Sequence, residues 1–236
     1  MNHPVLGVLG GVGPLATAYF MELVIKKTPA RTDQDNIPMV VYNDPQIPDR
    51  TAYILDHTKP NPRPEMANVA HWLQLAGAEY IAIPCNTAHY FYEDINSQVS
   101  IPVLNIMDLT AGAVAGRIGT GGKVGLMATD GTIESGVFQA CFERRGLETI
   151  VPDSTDRKTV MSIIYDCVKA NNPYDPQAFL AVADRLYASG CGAVVVGCTE
   201  LSVVYQDLAD KPGYLIDSLD VLAQACVDYY EQHRGE

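Results

Sequence analysis

The feature that most constrains this chain is an internal repeat. Gly77-Ala78-Glu79-Tyr80-Ile81-Ala82-Ile83-Pro84-Cys85-Asn86-Thr87 aligns without gaps on Gly190-Cys191-Gly192-Ala193-Val194-Val195-Val196-Gly197-Cys198-Thr199-Glu200. Each copy runs from a glycine through an apolar strand to a cysteine and a polar turn. At a similar offset Gly7-Val8-Leu9-Gly10-Gly11-Val12-Gly13 matches Gly125-Leu126-Met127-Ala128-Thr129-Asp130-Gly131, and Pro102-Val103-Leu104 ending at Asp108 echoes Tyr214-Leu215-Ile216 ending at Asp220. Three landmarks in one order predict two similar lobes, residues 1–117 and 118–236. The division falls in the glycine-rich turn Gly116-Arg117-Ile118-Gly119-Thr120-Gly121-Gly122.

Short apolar runs rich in β-branched residues recur between helical-length stretches. They are Val5–Leu9, Met39–Tyr42, Tyr80–Ile83, Val103–Ile106, Val124–Met127, Ala193–Val196 and Tyr214–Ile216. Such runs read as buried parallel strands with crossover helices, so the fold class is α/β. A last helix over about 219–232 is placed to pack back on the first lobe. Ligands of doubly wound sheets bind beyond the carboxyl ends of the strands, which brings Cys85 and Cys198 to the walls of one cleft.

The 236 residues carry a formal charge of -12. That leaves no basic surplus for phosphates and argues against a nucleic-acid partner. The N-terminus Met1-Asn2-His3-Pro4 has no cationic lead-in to an apolar run, and no stretch approaches a membrane span, so a cytoplasmic location with no membrane partner is expected. The six cysteines (85, 141, 167, 191, 198 and 226) show no CxxC or Cys/His clustering, which suggests free thiols and no metal site.

Cys85 and Cys198 each follow a strand and precede a plausible helix, with Asn86 or Thr87 and Thr199 available as N-caps. A helix N-terminus favours negative charge, so both thiol pKa values are expected to fall toward neutrality. A thiolate and a thiol across a cleft can remove a proton from one face of a carbon and return one to the other. The plainer alternative, small buried hydrophobes, stands first for Cys141, Cys167, Cys191 and Cys226.

Gly10-Gly11-Val12-Gly13-Pro14-Leu15-Ala16-Thr17, Pro45-Gln46-Ile47-Pro48-Asp49-Arg50, Pro84-Cys85-Asn86-Thr87-Ala88-His89 and Gly197-Cys198-Thr199-Glu200-Leu201 together resemble the aspartate racemase branch of the aspartate/glutamate/hydantoin racemases. The resemblance covers nearly the whole chain. It implies two αβα lobes related by a pseudo-two-fold axis, a homodimer, no pyridoxal phosphate or other cofactor, and an acidic amino acid, aspartate before glutamate, as substrate. It makes Cys85 and Cys198 the two bases, with Cys198 facing the L-enantiomer. It makes Asn86, Thr87 and Thr199 donors to the α-carboxylate, and Arg50 and Lys169 cations for the substrate. It adds Val12, Thr129, Thr132 and Glu200 to the substrate site. Three positions bear on the comparison. Val12 stands where methionine is frequent, Lys169-Ala170-Asn171 where Lys-Ala-Gly is usual, and Glu200 where glutamate racemases carry histidine. His89 is either on the thiol's helical face or a packing residue.

Two rivals come from other classes. Gly11-Val12-Gly13-Pro14-Leu15-Ala16 fits the Gly-x-Gly-x-x-Ala of a dinucleotide site, without an acidic residue cleanly ending the second strand. Its glycines are better explained as backbone donors to a small carboxylate. A non-catalytic two-lobed binder is the other rival, but it has no need of a thiol at the same place in each lobe. Within the family, hydantoin racemases, maleate isomerases and arylmalonate decarboxylases reuse related cysteine positions; decarboxylation needs only one cysteine, so the pair favours racemisation over it and leaves isomerisation open.

Overall fold

A computed structural model describes residues 3–235; the Met1-Asn2 part of the N-terminal reading lies outside them. The first half of the chain runs β1 (Leu6–Gly10), α1 (Pro14–Lys27), β2 (Met39–Asn43), α2 (Arg50–Leu55), α3 (Arg63–Leu75), β3 (Tyr80–Ala82), α4 (Tyr92–Asn96), β4 (Val103–Leu104) and α5 (Ile106–Ile118). The second runs β5 (Lys123–Met127), α6 (Asp130–Ser135), α7 (Val137–Glu143), β6 (Glu148–Ile150), α8 (Ser154–Ser162), α9 (Pro176–Ala188), β7 (Ala193–Val196), α10 (Thr199–Gln206), β8 (Leu215–Asp217) and α11 (Ser218–His233). Two parallel four-stranded sheets result, ordered β2-β1-β3-β4 and β6-β5-β7-β8. The second order is the first shifted by four strands, which is the repeat seen in three dimensions.

The seven runs read from the sequence are all strands, with ends shifted by a residue or two. Ile106, taken as the end of a strand, instead opens α5 behind an Asn105 cap that accepts from Met107 and Asp108 N–H. The eighth strand, β6, was not foreseen. Glu148-Thr149-Ile150 is a short edge strand with no buried residue, so it carries no apolar signature.

Alternation along the strands sorts the core into layers. Leu6, Val8, Tyr80 and Ala82 of the first sheet and Val124, Leu126, Ala193 and Val195 of the second belong to one continuous core, filled from between by α1, α5, α7 and α11. Leu9, Ile81 and Ile83 face the other way, toward α3, and Met127, Val194 and Val196 toward α9. The two terminal helices are exchanged across this middle layer. Helix α5, from the first half, packs on α7, β7 and β8, while α11, from the second, packs on α1 and β4. Tyr80 marks the latter contact, since its hydroxyl donates to the Cys226 carbonyl and its ring stacks on Tyr229. Asp108 on α5 is held by Arg145 through two bonds of 2.9 Å.

Because each sheet's inner face is covered by helices from both halves, heat should unfold the chain in one cooperative transition. Leu222→Ala on α11, at a fully buried site, should cost about 2–5 kcal/mol and leave that single transition intact. Calorimetry resolving two transitions, one unaffected by the substitution, would contradict the shared core.

Candidate active site

Both cysteines follow the carboxyl ends of their strands, β3 and β7. Cys198 is itself the N-cap of α10, with Thr199 its first helical residue. Cys85 is followed by a 3₁₀ turn, Thr87–Phe91, rather than an α-helix. Neither Asn86 nor Thr199 caps a helix through its side chain. His89 settles as a packing residue, with Nδ1 2.8 Å from the Cys85 carbonyl oxygen and Nε2 accepting from Ile106 N–H. Burial lowers its pKa, and the uncharged ring holds the backbone of the cysteine turn.

A small chamber of about 10 Å³ lies at the meeting of the lobes, lined by Val12, Arg50, Cys85, Thr87, Thr129 and Glu200 among others. Room for about one water is all this volume gives. Outside it a vestibule of about 320 Å³ opens between Gly11, Pro14, Ile47, Asp49, Arg50 and Lys169. The chamber floor is a network of hydroxyls from both lobes. Thr87 Oγ1 lies 2.8 Å from Thr132 Oγ1 and 3.1 Å from Thr129 Oγ1, and Thr51 donates to Thr129 at 3.1 Å. Thr129 also caps α6 by accepting from Thr132 N–H. The lobes touch closely here, because a Cβ on Gly131 would meet Thr51 Cα at 2.8 Å.

Cys198 Sγ donates to Glu200 Oε2 at 3.0 Å. Burial, then the Glu200 charge and this bond, push the Cys198 thiol well above its ordinary pKa. Burial also raises Cys85, against which the Arg50 guanidinium pulls downward. The expected fall toward neutrality is therefore reversed, since desolvation and a buried carboxylate outweigh one helix terminus. Cys85 is among the charges that reach Cys198, so the two thiols share one electrostatic environment.

Arg50 begins α2 behind the Asp49 cap and is 6% exposed. Its Nη1 donates to the Ile47 and Pro48 carbonyls while Nε is buried without a partner. Lys169 ends a π-helical turn, Ile163–Val168, and lies over the Tyr165 ring with Nζ 3.3 Å from Asp49 Oδ2. Burial works against the Lys169 charge, but Glu200, Tyr165 and Asp49 hold its pKa above the usual lysine value. Asn171 explains the departure after Lys169. At φ 55° it is the only non-glycine in the left-handed region among the described residues, a place asparagine tolerates better than most.

Four buried polar atoms without partners cluster in these motifs: Arg50 Nε, Asn86 Oδ1, Thr199 Oγ1 and Glu200 Oε1. An unpaired buried polar group costs about 1–3 kcal/mol, so such a cluster marks a place built for a ligand. Asp49, Thr51, Tyr165 and Ser218 join the site without having been singled out from the sequence. Their partners lie across the lobe interface, and only Asp49-Arg50, lying within a quoted motif, offered a local signal. The glycines of Gly11-Val12-Gly13 serve packing. Gly11 has φ +86° with a Cβ position 2.2 Å from the Asp44 backbone, and a Cβ on Gly13 would meet Glu200 Oε1 at 2.4 Å. The Gly11 N–H is already bonded to Thr17 Oγ1, so it is not a free backbone donor.

The sequence profile of the Asp/Glu/Hydantoin racemase family matches residues 9–226. The broad specificity amino-acid racemase RacX of Bacillus subtilis (strain 168) is 28% identical over 229 residues, 95% of this chain and 97% of that protein. The aspartate racemase of Picrophilus torridus superposes with a TM-score of 0.82 at 30% identity, covering 97% of this chain and 94% of that one. Glutamate racemase of Francisella tularensis in complex with D-glutamate shares the fold at a TM-score of 0.68 and 16% identity, over 99% and 82% of the two chains. Repeat, sheet order and motifs thus agree with the profile, and the chain belongs to the Asp/Glu/Hydantoin racemase family of isomerases.

Proposed function

We propose that this protein is a cofactor-independent racemase of acidic amino acids, aspartate foremost, that moves protons with Cys85 and Cys198. The observation that carries the reading is that cysteines from equivalent strand ends of the two lobes meet at one place: Cys85 lines the chamber, Cys198 is bonded to Glu200 in its wall, and Arg50 and Lys169 stand at its mouth. A thiolate on one wall takes the α-proton, breaking Cα–H and forming S–H. The thiol on the opposite wall then delivers its proton to the other face of the carbanion. Threonine hydroxyls and backbone N–H groups offset charge growing on the α-carboxylate, while the unpaired Arg50 Nε suits a side-chain carboxylate. We place the enzyme as a homodimer, on the resemblance.

The chamber is too small for an amino acid, so the lobes part to admit substrate and close over it. Closure removes water and strengthens each of these interactions. Specificity for aspartate rests on the two cations and on the Picrophilus likeness; the Bacillus relative, named as having broad specificity, makes neutral amino acids the natural comparison in assays.

In deuterated water, conversion of L-aspartate by the wild type should place solvent deuterium at Cα of the D-product. Serine is a far weaker base at neutral pH, so Cys85→Ser and Cys198→Ser should each lose most racemisation. Cys85→Ser should still exchange the α-proton of the L-enantiomer only, and Cys198→Ser that of the D-enantiomer only. NMR showing the same enantiomer preference in both variants rules the pair out as opposed bases. Arg50→Ala should cost about 2–5 kcal/mol in kcat/KM with L-aspartate and less with L-alanine; equal losses place Arg50 on the α-carboxylate.

The pH dependence follows from the signs. Burial and Glu200 both disfavour the Cys198 thiolate, so alkylation of Cys198 by iodoacetamide should accelerate only at alkaline pH. Glu200→Gln removes a negative charge and should move that profile to lower pH. A profile that stays in place, read by mass spectrometry of the Cys198 peptide, would show that Glu200 does not govern this thiol.

A further inference from the structure

Asn86, next to Cys85, is held by a residue of the other half of the chain. Its Nδ2 lies 2.9 Å from Ser218 Oγ, and Ser218 Oγ lies 2.8 Å from the Val196 carbonyl oxygen. A carbonyl only accepts, so the single hydroxyl hydrogen of Ser218 is used on Val196. Ser218 Oγ must then accept from Asn86, which fixes the amide with nitrogen toward Ser218 and leaves its oxygen free. That oxygen, Oδ1, is buried and has no partner. Ser218 cannot easily yield, since it is fully buried where α11 starts, and Asp217 before it caps that helix by accepting from Leu219 N–H.

The site's polar groups divide accordingly. The donors with a hydrogen to spare are Arg50, whose Nε is unpaired, Lys169 and the unpaired Thr199 hydroxyl, and they suit carboxylates; the hydroxyls of Thr51, Thr87, Thr129 and Thr132 bond one another. The acceptors without full complements are Asn86 Oδ1 and Glu200 Oε1. A dicarboxylic amino acid has two groups that accept and one, the ammonium, that only donates.

We propose that Ser218 is a positioning residue that turns the carbonyl of Asn86 toward the ligand, making Asn86 an acceptor for the substrate ammonium rather than a donor to its α-carboxylate. The inference rests on the reading of the site as one for an acidic amino acid, and it revises the role the resemblance gave Asn86. It also ties the two cysteine turns together, because the Asn86–Ser218–Val196 chain runs from the neighbour of Cys85 to the strand that ends before Cys198.

Succinate tests this, since it keeps both carboxylates of aspartate and lacks the ammonium. The measurements are the KM for L-aspartate and the inhibition constant of succinate in wild type, Ser218→Ala and Asn86→Ala, with thermal melting to verify folding. Asn86→Ala removes a hydrogen bond to a charged group and Ser218→Ala frees the amide to turn its oxygen away, so the aspartate KM should rise about tenfold or more in the first and in the same direction in the second, while the succinate constant moves less than about twofold. Asn86→Asp keeps an acceptor and adds a negative charge, so it should hold aspartate and weaken succinate, and it carries the test if Ser218→Ala does not fold. Equal weakening of both ligands in Asn86→Ala overturns the inference and returns the amide to the α-carboxylate. Unchanged constants overturn it by removing Asn86 from the ligand altogether. A wild type that binds succinate but leaves L-aspartate unconverted fails the underlying reading instead, a result distinct from either.

Discussion

The core between the two sheets is the constraint from which the site follows. Strand residues of alternate parity from both sheets meet α1, α5, α7 and α11 in one apolar layer, and the exchange of α5 and α11 means that neither sheet has its inner face covered by its own half alone. Each sheet delivers a cysteine at the carboxyl end of an equivalent strand, so the layer that fixes the sheets relative to each other also fixes the thiols. A close-packed interior deforms little, and positional accuracy at the chamber is inherited from residues such as Phe138, Phe142 and Leu222 that never reach it.

Electrostatics at the site run against the usual picture of an activated thiol. Both cysteines are buried and both are held in the neutral form, Cys198 more firmly because Glu200 accepts its proton-bearing bond. Neutral thiols suit a closed, dry chamber, where an uncompensated thiolate would be costly. The mouth is differently arranged, with Lys169 and Asp49 neutralising each other and Tyr165 bonded to the same carboxylate.

Much of this was legible in the sequence. The repeat, seven strands, the α/β class and both cysteine turns follow from apolar periodicity and gapless alignment, signals carried by contiguous residues. Strand β6 escaped because an exposed three-residue edge needs no apolar pattern. The sign of the thiol shifts was misread because a helix start is a local feature, whereas desolvation depends on what the other lobe places above it. Asp49, Thr51, Tyr165 and Ser218 escaped for a related reason. Aspartate, threonine, tyrosine and serine are common on surfaces, and only the meeting of residues far apart in the chain, as in Asn86 with Ser218, gives them a role.

The repeat is imperfect at one informative place: two residues beyond Cys85 stands Thr87, and two beyond Cys198 stands Glu200. The two walls of a symmetric scaffold are thus chemically unlike, while the mirror-image molecules they process have identical free energies. Thermodynamics then requires the ratio of kcat/KM values for the forward and reverse directions to be one, whatever the walls are made of. The inequality between Thr87 and Glu200 can surface only in how each direction divides that shared quotient between turnover and saturation, so one enantiomer is held more tightly and converted more slowly in equal measure.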